Sequence, residues 1–170
     1  ASLVIGIAAS VWQAVRADHE AKRAVAALDE LRASAPAFAE QARGLAAREQ
    51  FDEAIAKLDY AIKLRPDAAE FLVAKGDLLQ CQLQLSAAAA IYREALRVQP
   101  SHARAAASAK LCDELLSAKP NERGKLTREN LAKLHLALQR QQRPAAELMP
   151  VARLLGVEKE RGWLRVGMKA

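Results

Sequence analysis

Aromatic residues, glycine and proline are scarce in this sequence. Phe, Trp and Tyr make up 4% of its 170 residues, and glycine and proline occur seven and six times. No run of β-branched residues alternates with polar ones, so the pattern of a half-buried strand is missing. Alanine and leucine, both strong helix formers, dominate instead. The composition predicts an all-α protein whose length fits one domain.

Cysteine and histidine are also few, which removes several classes of site. Cys81 and Cys112 form no CxxC pair and no metal-ligand spacing with His19, His102 or His135. We expect both cysteines to be small buried hydrophobes. The sequence shows no nucleophile with a matching base and no acid pair on one helix face, as catalysis would require. We therefore expect no enzyme activity, no metal and no cofactor.

The central stretch, residues 35–102, reads as two copies of a 34-residue unit. The copies align on Pro66 and Pro100, which both fall at position 32. Small residues occupy position 8 (Ala42/Gly76), position 20 (Ala54/Ala88) and position 27 (Ala61/Ala95). Bulky residues occupy position 4 (Phe38/Leu72), position 11 (Leu45/Leu79) and position 24 (Leu58/Tyr92). A fixed period of this size is typical of helical repeat arrays.

This pattern resembles the tetratricopeptide repeat (TPR), in which pairs of antiparallel helices stack into a solenoid. Gln41 and Lys75 depart from it at position 7, which is apolar in the family. The repeats and the residues around them predict this order of segments: an N-terminal helix at 1–34, repeats at 35–68 and 69–102, an extra helix at 103–116, a loop at 117–127, a degenerate repeat at 128–161 and a tail at 162–170.

The C-terminal unit fits the pattern less well than the other two. Leu131, Leu134 and Leu138 fall at positions 4, 7 and 11, but His135 and Glu147 fall at positions 8 and 20, where small residues are expected. We interpret this unit as a degenerate third repeat, displaced by the segment that precedes it.

Capping residues predict several helix boundaries. Ser34, Ser101 and Thr127 are placed to cap the helices that follow them. Pro144 is expected to open a helix and Gly156 to end one.

No charged residue occurs between Ala1 and Val15. As a helix this segment spans roughly 22 Å, short of the ~30 Å hydrocarbon core. We interpret it as the trailing end of a membrane-spanning helix with Trp12 at the interface, on an undetermined side. A buried or self-associating first helix is the alternative. The helix is expected to continue to Ala33 as a spacer that packs on the first repeat.

The segment VWQAVRADHEAKRA, followed by repeats, resembles the region after the membrane helix in large bacterial serine/threonine kinases. The resemblance implies only an architecture, in which this chain belongs to a larger membrane-anchored protein. No glycine-rich loop, HRD or DFG motif is present, so no kinase activity follows from it.

Positive charge is concentrated in the last third of the chain. Up to Ala118 there are 14 Lys/Arg and 15 Asp/Glu, whereas from Lys119 onward there are 12 and 5. A basic surface attracts nucleic acid or anionic membranes. The basic residues are scattered along this third, however, and Trp163 is the one Phe, Trp or Tyr residue in it. Stacking on single strands needs more aromatic side chains, so nucleic acid is not the favoured partner.

In the TPR family the first helix of each pair lines a concave groove, so the resemblance implies a binding site. The groove positions are Arg43, Ala47, Val73, Asp77, Gln80, Arg104, Ala107 and Leu111. We expect their polar side chains to be open to solvent and to add little to folding. Family members that clamp the acidic tails of heat-shock chaperones carry Lys and Asn where this sequence has Ala39/Arg43 and Val73/Asp77, which argues against that ligand.

The predicted function is a scaffold that binds a protein or peptide in this groove. One alternative is a spacer or oligomerisation segment of a receptor-like bacterial kinase, which predicts self-association. The other is binding of nucleic acid or an anionic membrane by the basic C-terminal third.

Overall fold

The computed structural model describes residues 2–118 and 126–156, without the side chains of 2–11, 14 and 15. Both ranges consist of helices joined by short connections and contain no strand, which confirms the all-α prediction. The helices in these ranges are α1 (Ser2–Ala33), α2 (Ala35–Ala46), α3 (Phe51–Leu64), α4 (Ala69–Cys81), α5 (Leu85–Val98), α6 (Ala103–Ser117), α7 (Arg128–Arg140) and α8 (Ala145–Leu155).

The break between α1 and α2 falls at Ser34, two residues before Pro36. Proline lacks an N–H and its ring clashes with the carbonyl four residues earlier, and Pro36 accordingly lies in the first turn of α2, where no such carbonyl has to be bonded. Ser34 does not cap α2, and that prediction is wrong. Its backbone is helical, and its hydroxyl donates to the carbonyl of Leu31 at 2.6 Å. A capping residue needs a non-helical backbone.

Three pairs of helices, α2–α3, α4–α5 and α7–α8, are joined by the same turn. Position 15 of each unit has a positive φ: 61° at Glu49 and Leu83, and 54° at Gln142. The next amide donates to the carbonyl of a leucine five residues back: Gln50 to Leu45 at 3.0 Å, Gln84 to Leu79 at 2.9 Å and Arg143 to Leu138 at 3.2 Å. Positive φ is uncommon outside glycine. Its recurrence shows that the three units share one local backbone design.

Proline ends the second helix of both central units, as predicted. α3 stops at Leu64 and α5 at Val98, and a proline follows two residues later in each case. The intervening residues, Arg65 and Gln99, have φ near −135° (−137° and −133°). The proline ring disfavours the helical region for the residue before it, so the chain turns there into the next helix.

Other helix boundaries agree with the sequence except at α6. Thr127 caps α7 by accepting from the amide of Asn130 at 3.2 Å, Pro144 precedes α8, and Gly156 ends α8 with a φ of 71°. His102, not Ser101, caps α6, since its Nδ1 accepts from the amide of Ala105 at 3.2 Å. The prediction for Ser101 was one residue early.

Small side chains allow the paired helices to approach closely. Equivalent positions of the two central units are nearly inaccessible to solvent: Ala42, Ala54, Ala61, Ala88 and Ala95. Gly76, the partner of Ala42 in the alignment, lies against the ring of Tyr92, and a Cβ built on it would lie 2.7 Å from Cε1. A larger residue at these positions would therefore force the helices apart.

The apolar core consists of two clusters. One joins α2, α3 and α4 through residues such as Ala39, Phe51 and Phe71. The other extends from α4 to α8 and includes Leu72 and Tyr92. The second cluster also takes in Leu134, Leu138, Val151 and Leu155, so α7 and α8 belong to the same packed body as the central units.

The α7–α8 hairpin folds back along the chain. α8 packs against α4, four helices earlier in sequence. Lys133 lies 2.5 Å from Glu114 of α6, and Gln141 donates to Ser108 of the same helix at 3.2 Å. At the far end of α8, Arg153 forms two contacts with Glu49, at 2.6 and 2.9 Å. The hairpin therefore covers part of the face of α4 instead of only extending the row of helices.

The first helix makes few contacts with the rest of the molecule. From residue 16 to residue 33 every side chain of α1 is exposed. Val25, Leu28 and Leu31 are 59%, 47% and 54% exposed, so the prediction that the last turns pack on the first repeat is wrong. Within the described residues, no helix has the length and apolar character needed to cross a membrane.

Candidate binding cleft

A cleft of about 260 Å³ lies between α2 and α4. Its walls are mostly small or apolar side chains: Ala39, Ala42, Ala46, Leu58, Phe71, Ala74 and Leu78. Charged residues of both signs stand around them: Arg43, Glu70, Asp77, Arg104 and Glu147. Alanine side chains leave room between α2 and α4, which both line the cleft. This combination suits an apolar segment flanked by polar groups.

The two arginines at the cleft differ in how strongly they are held. The side chain of Arg43 is 73% exposed and lies 2.7 Å from Glu40 on the same helix. Such an exposed pair contributes little to stability. Arg104 is 41% exposed and its guanidinium bonds to the Asp77 carboxylate. Arg43 is thus available to a ligand, whereas Arg104 is already engaged.

Asp77 is the centre of a buried polar cluster. Its carboxylate accepts from the Tyr92 hydroxyl at 2.7 Å and lies 2.7 Å from Nη1 of Arg143. Arg143 itself is inaccessible, bonds to Glu147 through Nε and donates to the Cys81 sulfur at 3.6 Å. A buried charge is tolerated when an opposite charge compensates it, and each charge here has such a partner, although Nη1 of Arg143 lies beside Asp77 without hydrogen-bond geometry.

Burial and charge shift the pKa values within this cluster. Burial raises the pKa of Asp77 above its ordinary value, although Arg143 and Arg104 both act to lower it. Burial acts to lower the pKa of Arg143, but the carboxylates of Asp77 and Glu147 outweigh it and the pKa rises. Burial also raises the pKa of Tyr92, and that of the Cys81 thiol to about 12. Cys81 is therefore a neutral, unreactive thiol in the folded protein.

Three of the eight predicted groove residues line the cleft, namely Arg43, Asp77 and Arg104. Ala47 and Ala107 are exposed but lie outside it. Val73, Gln80 and Leu111 are buried in the core, where Gln80 donates to the Cys112 sulfur at 3.4 Å.

The expectation that polar groove side chains are open to solvent is wrong for Asp77 and Gln80. They are 4% and 0% exposed. The reason is tertiary: the turn before α8 brings Arg143 over Asp77, and α6 covers Gln80. Both side chains contribute to the fold as well as to the walls of the site.

Arg143 was not predicted to be a site residue, and Glu147 was expected only to be a poor match to position 20 of the repeat. Glu147 falls at position 20 of its unit, where the other units have a buried alanine. A charged residue at a buried position implies a buried partner of opposite charge, and Arg143 lies four residues earlier, one turn away. That mismatch was the available signal.

The basic C-terminal third is partly neutralised in the structure. Arg143 is buried, Lys133 pairs with Glu114, and Arg153 pairs with Glu49. Within residues 2–118 and 126–156, no three His, Cys, Asp or Glu side chains are placed to hold a metal ion.

No protein-family model matches this chain, and a search of curated proteins finds no significant match. The likeness to the TPR family therefore depends on the residues and spacings described above, and the function has to be argued from the cleft.

Proposed function

We propose that this protein is a helical-repeat module of the TPR type that binds a peptide or protein segment in the cleft between α2 and α4. The observation that carries the proposal is the cleft itself, with alanine walls and an exposed Arg43 at its edge. The buried residues 34 apart and the shared turns support a repeat arrangement of the helices. In this arrangement the first helices of successive units form a common ligand-binding face.

The ligand is an extended or helical segment with small apolar side chains and a carboxylate. The cleft walls are alanine, phenylalanine and leucine side chains, which suit apolar groups of a ligand. These wall side chains offer no hydrogen-bond donor to a polar group of the ligand. Arg43 projects from the edge with most of its surface free, and a guanidinium pairs best with a carboxylate. Glu70, on the other edge, disfavours a second acidic group there.

A peptide selection on the immobilised chain tests this function. Peptides enriched from a random library are expected to bind in solution, and Arg43→Glu is expected to weaken binding at least several-fold. Arg97→Glu is the matched control, because Arg97 is an exposed cation on α5 away from the cleft. Equal binding by both variants, or no enrichment, would contradict the proposal. Both variants should melt like wild type, since exposed substitutions usually stay within ~0.5 kcal/mol.

Self-association through α1 is a second candidate function. Val25, Leu28 and Leu31 are about half exposed or more on a helix that contacts little else. Exposed apolar residues on one helix face favour pairing with another helix. Sedimentation analysis is expected to show a mass that rises with concentration, and Leu28→Glu with Leu31→Glu should abolish the rise. A constant monomer mass would exclude this function. Membrane anchorage of the N-terminal segment stays a separate proposal.

A further inference from the structure

Four of the charged residues at the cleft form two equivalent pairs of reversed sign. Arg43 and Asp77 are the ninth residues of α2 and α4, and Glu70 and Arg104 are the second residues of α4 and α6. The two pairs are Arg43 with Glu70 and Asp77 with Arg104, and all four residues line the cleft. Because the positions correspond, the state of one pair can be compared directly with the state of the other.

The pair formed by Asp77 and Arg104 is closed. The Arg104 guanidinium bonds to the Asp77 carboxylate, and Asp77 is 4% exposed. Their helices, α4 and α6, are in direct contact. Each charge is therefore satisfied inside the protein, and this pair offers a ligand no uncompensated charge.

The pair formed by Arg43 and Glu70 is open. Arg43 is 73% exposed and lies 2.7 Å from Glu40 of its own helix, so it does not reach across the cleft. The Glu70 side chain is exposed, and its carboxylate makes no ion pair or hydrogen bond with any residue in the described part of the chain. The apolar walls of the cleft lie between α2 and α4. Two available charges of opposite sign thus stand on the two sides of an apolar binding surface.

We propose that Arg43 and Glu70 together select the ligand of the cleft, which is a peptide segment with one acidic and one basic side chain beside its small apolar residues. The acidic side chain pairs with Arg43 and the basic one with Glu70. Complementary charges at the rim of a binding surface contribute selectivity and fix the register more than they raise affinity. The proposal rests on the proposed function and adds to it a second charged group of the ligand, with Glu70 as the residue that recognises it.

Glu70 also lies in the first turn of α4, where a carboxylate interacts favourably with the helix dipole. That interaction does not depend on what the cleft holds. Its loss would change the stability of the chain and affect the binding of every peptide alike. The test therefore compares peptides that differ only in charge.

Four fluorescent peptides with blocked termini and one alanine–leucine core provide the comparison. They carry lysine and glutamate, glutamine and glutamate, lysine and glutamine, or two glutamines at the ends of the core, which is made in several lengths. The wild-type chain is expected to bind the lysine–glutamate peptide about two- to five-fold more tightly than the glutamine–glutamate peptide, as one exposed ion pair allows. In the Glu70→Gln chain this difference should disappear. In the Glu94→Gln chain it should remain, because Glu94 is exposed on α5 and does not line the cleft.

Reversal of the charge at Glu70 should reverse the preference. The Glu70→Lys chain is expected to bind a peptide with two glutamates more tightly than the lysine–glutamate peptide, whereas the wild-type chain and the Glu94→Lys control should show the opposite order. A change that acts only through folding cannot produce such an inversion. Circular dichroism should show the helix content of the wild-type chain in all variants.

Three results would overturn the proposal. They are an unchanged effect of lysine in the Glu70→Gln chain, an equal shift of all four peptides in that chain, and an unchanged preference in the Glu70→Lys chain. The second result would assign Glu70 to the helix dipole or to a direct pair with Arg43. If Arg43→Gln still removes the effect of glutamate in these cases, the proposed function stands without this inference. Absence of binding by every peptide, including those selected from a random library, would remove both.

Discussion

Gly76 and Tyr92 show how single residues set the distance between helices. The Tyr92 ring lies over Gly76 of α4, and its hydroxyl is fixed by Asp77 one residue further along that helix. The ring is fully buried, so it has no room to move away from a new side chain. Glycine in a helix is otherwise unfavourable by roughly 0.5–1 kcal/mol relative to alanine. Its presence in α4 is explained by the ring above it.

Substitution of Gly76 in α4 and of Gly44 in α2 by alanine should have opposite effects. Gly76→Ala is expected to lower the free energy of unfolding by about 1–2 kcal/mol, since overpacking outweighs the gain in helix propensity. Gly44→Ala, where a Cβ meets nothing within 4 Å, should raise it by roughly 0.5–1 kcal/mol. Urea unfolding of both variants checks this. A stabilising Gly76→Ala would contradict the close contact with Tyr92.

His135 gives a pH dependence of definite sign. It is 7% exposed, and burial lowers its pKa below the ordinary value of 6.5. The unfolded chain then binds the proton more readily than the folded chain. The contribution of neutral His135 to stability is therefore fully present above about pH 6.5, and it is lost as the pH falls through the lower pKa of the folded state.

The His135→Gln variant isolates this contribution. Between about pH 7.5 and about pH 5.5 the wild-type free energy of unfolding should fall more than that of the variant. Urea titrations at both pH values provide the comparison. Identical falls in the two proteins would show that His135 does not control this part of the profile.

Side-chain roles were predicted best where local spacing decides them. The alignment placed Ala54, Ala88 and Tyr92 in the core correctly, because packing of paired helices depends on residues a few turns apart. Asp77 and Gln80 were misread as open groove residues, since their burial depends on segments far along the chain. The sequence spacing carries no direct sign of those contacts.

From α2 to α6, each helix packs against the next one in sequence. α2 contacts α3 and α4 contacts α5 along their lengths, while α5 also contacts α6. The turns inside the pairs use a residue with positive φ, and the connections between them use proline. Both devices depend on neighbouring residues, which explains why most helix boundaries could be read from the sequence.

Enlarging a small residue at a helix contact should be far more damaging than enlarging its exposed neighbour. Ala88→Leu is expected to cost ~1–3 kcal/mol, because Ala88 is 0% exposed between packed helices. Ala90→Leu, on the exposed side of the same helix, should stay within ~0.5 kcal/mol of wild type. Thermal melting of the two variants measures the difference in their loss of stability. Similar shifts in both would contradict the packing register.

The arrangement of the whole molecule was the least predictable level. The sequence indicated a third, degenerate unit, and α7–α8 does share the turn of the other units. It did not indicate that α8 lies against α4 or that Arg153 meets Glu49, which is 104 residues away. Such contacts depend on how the helices stack, and no local pattern encodes them.

Removal of α1 should leave the remaining fold intact. Its side chains from 16 to 33 are exposed, and its contacts with α2 are few. A chain starting at Ser34 is expected to keep the melting temperature of the full chain within a few degrees, and its helix content should fall only by the share of α1. Circular dichroism measures both quantities. A large drop in melting temperature would show that α1 is part of the core.

The measurement that tests the account most directly is hydrogen exchange of the full chain with and without a selected peptide. Binding in the proposed cleft should slow exchange in α2 and in α4 from Glu70 to Leu78, which carry its walls. Helices α5 and α7, and the part of α6 beyond Arg104, should change little. Protection confined to α5, α6 or α7, with α2 and α4 unaffected, would contradict a ligand-binding face formed by the first helices of the repeated units.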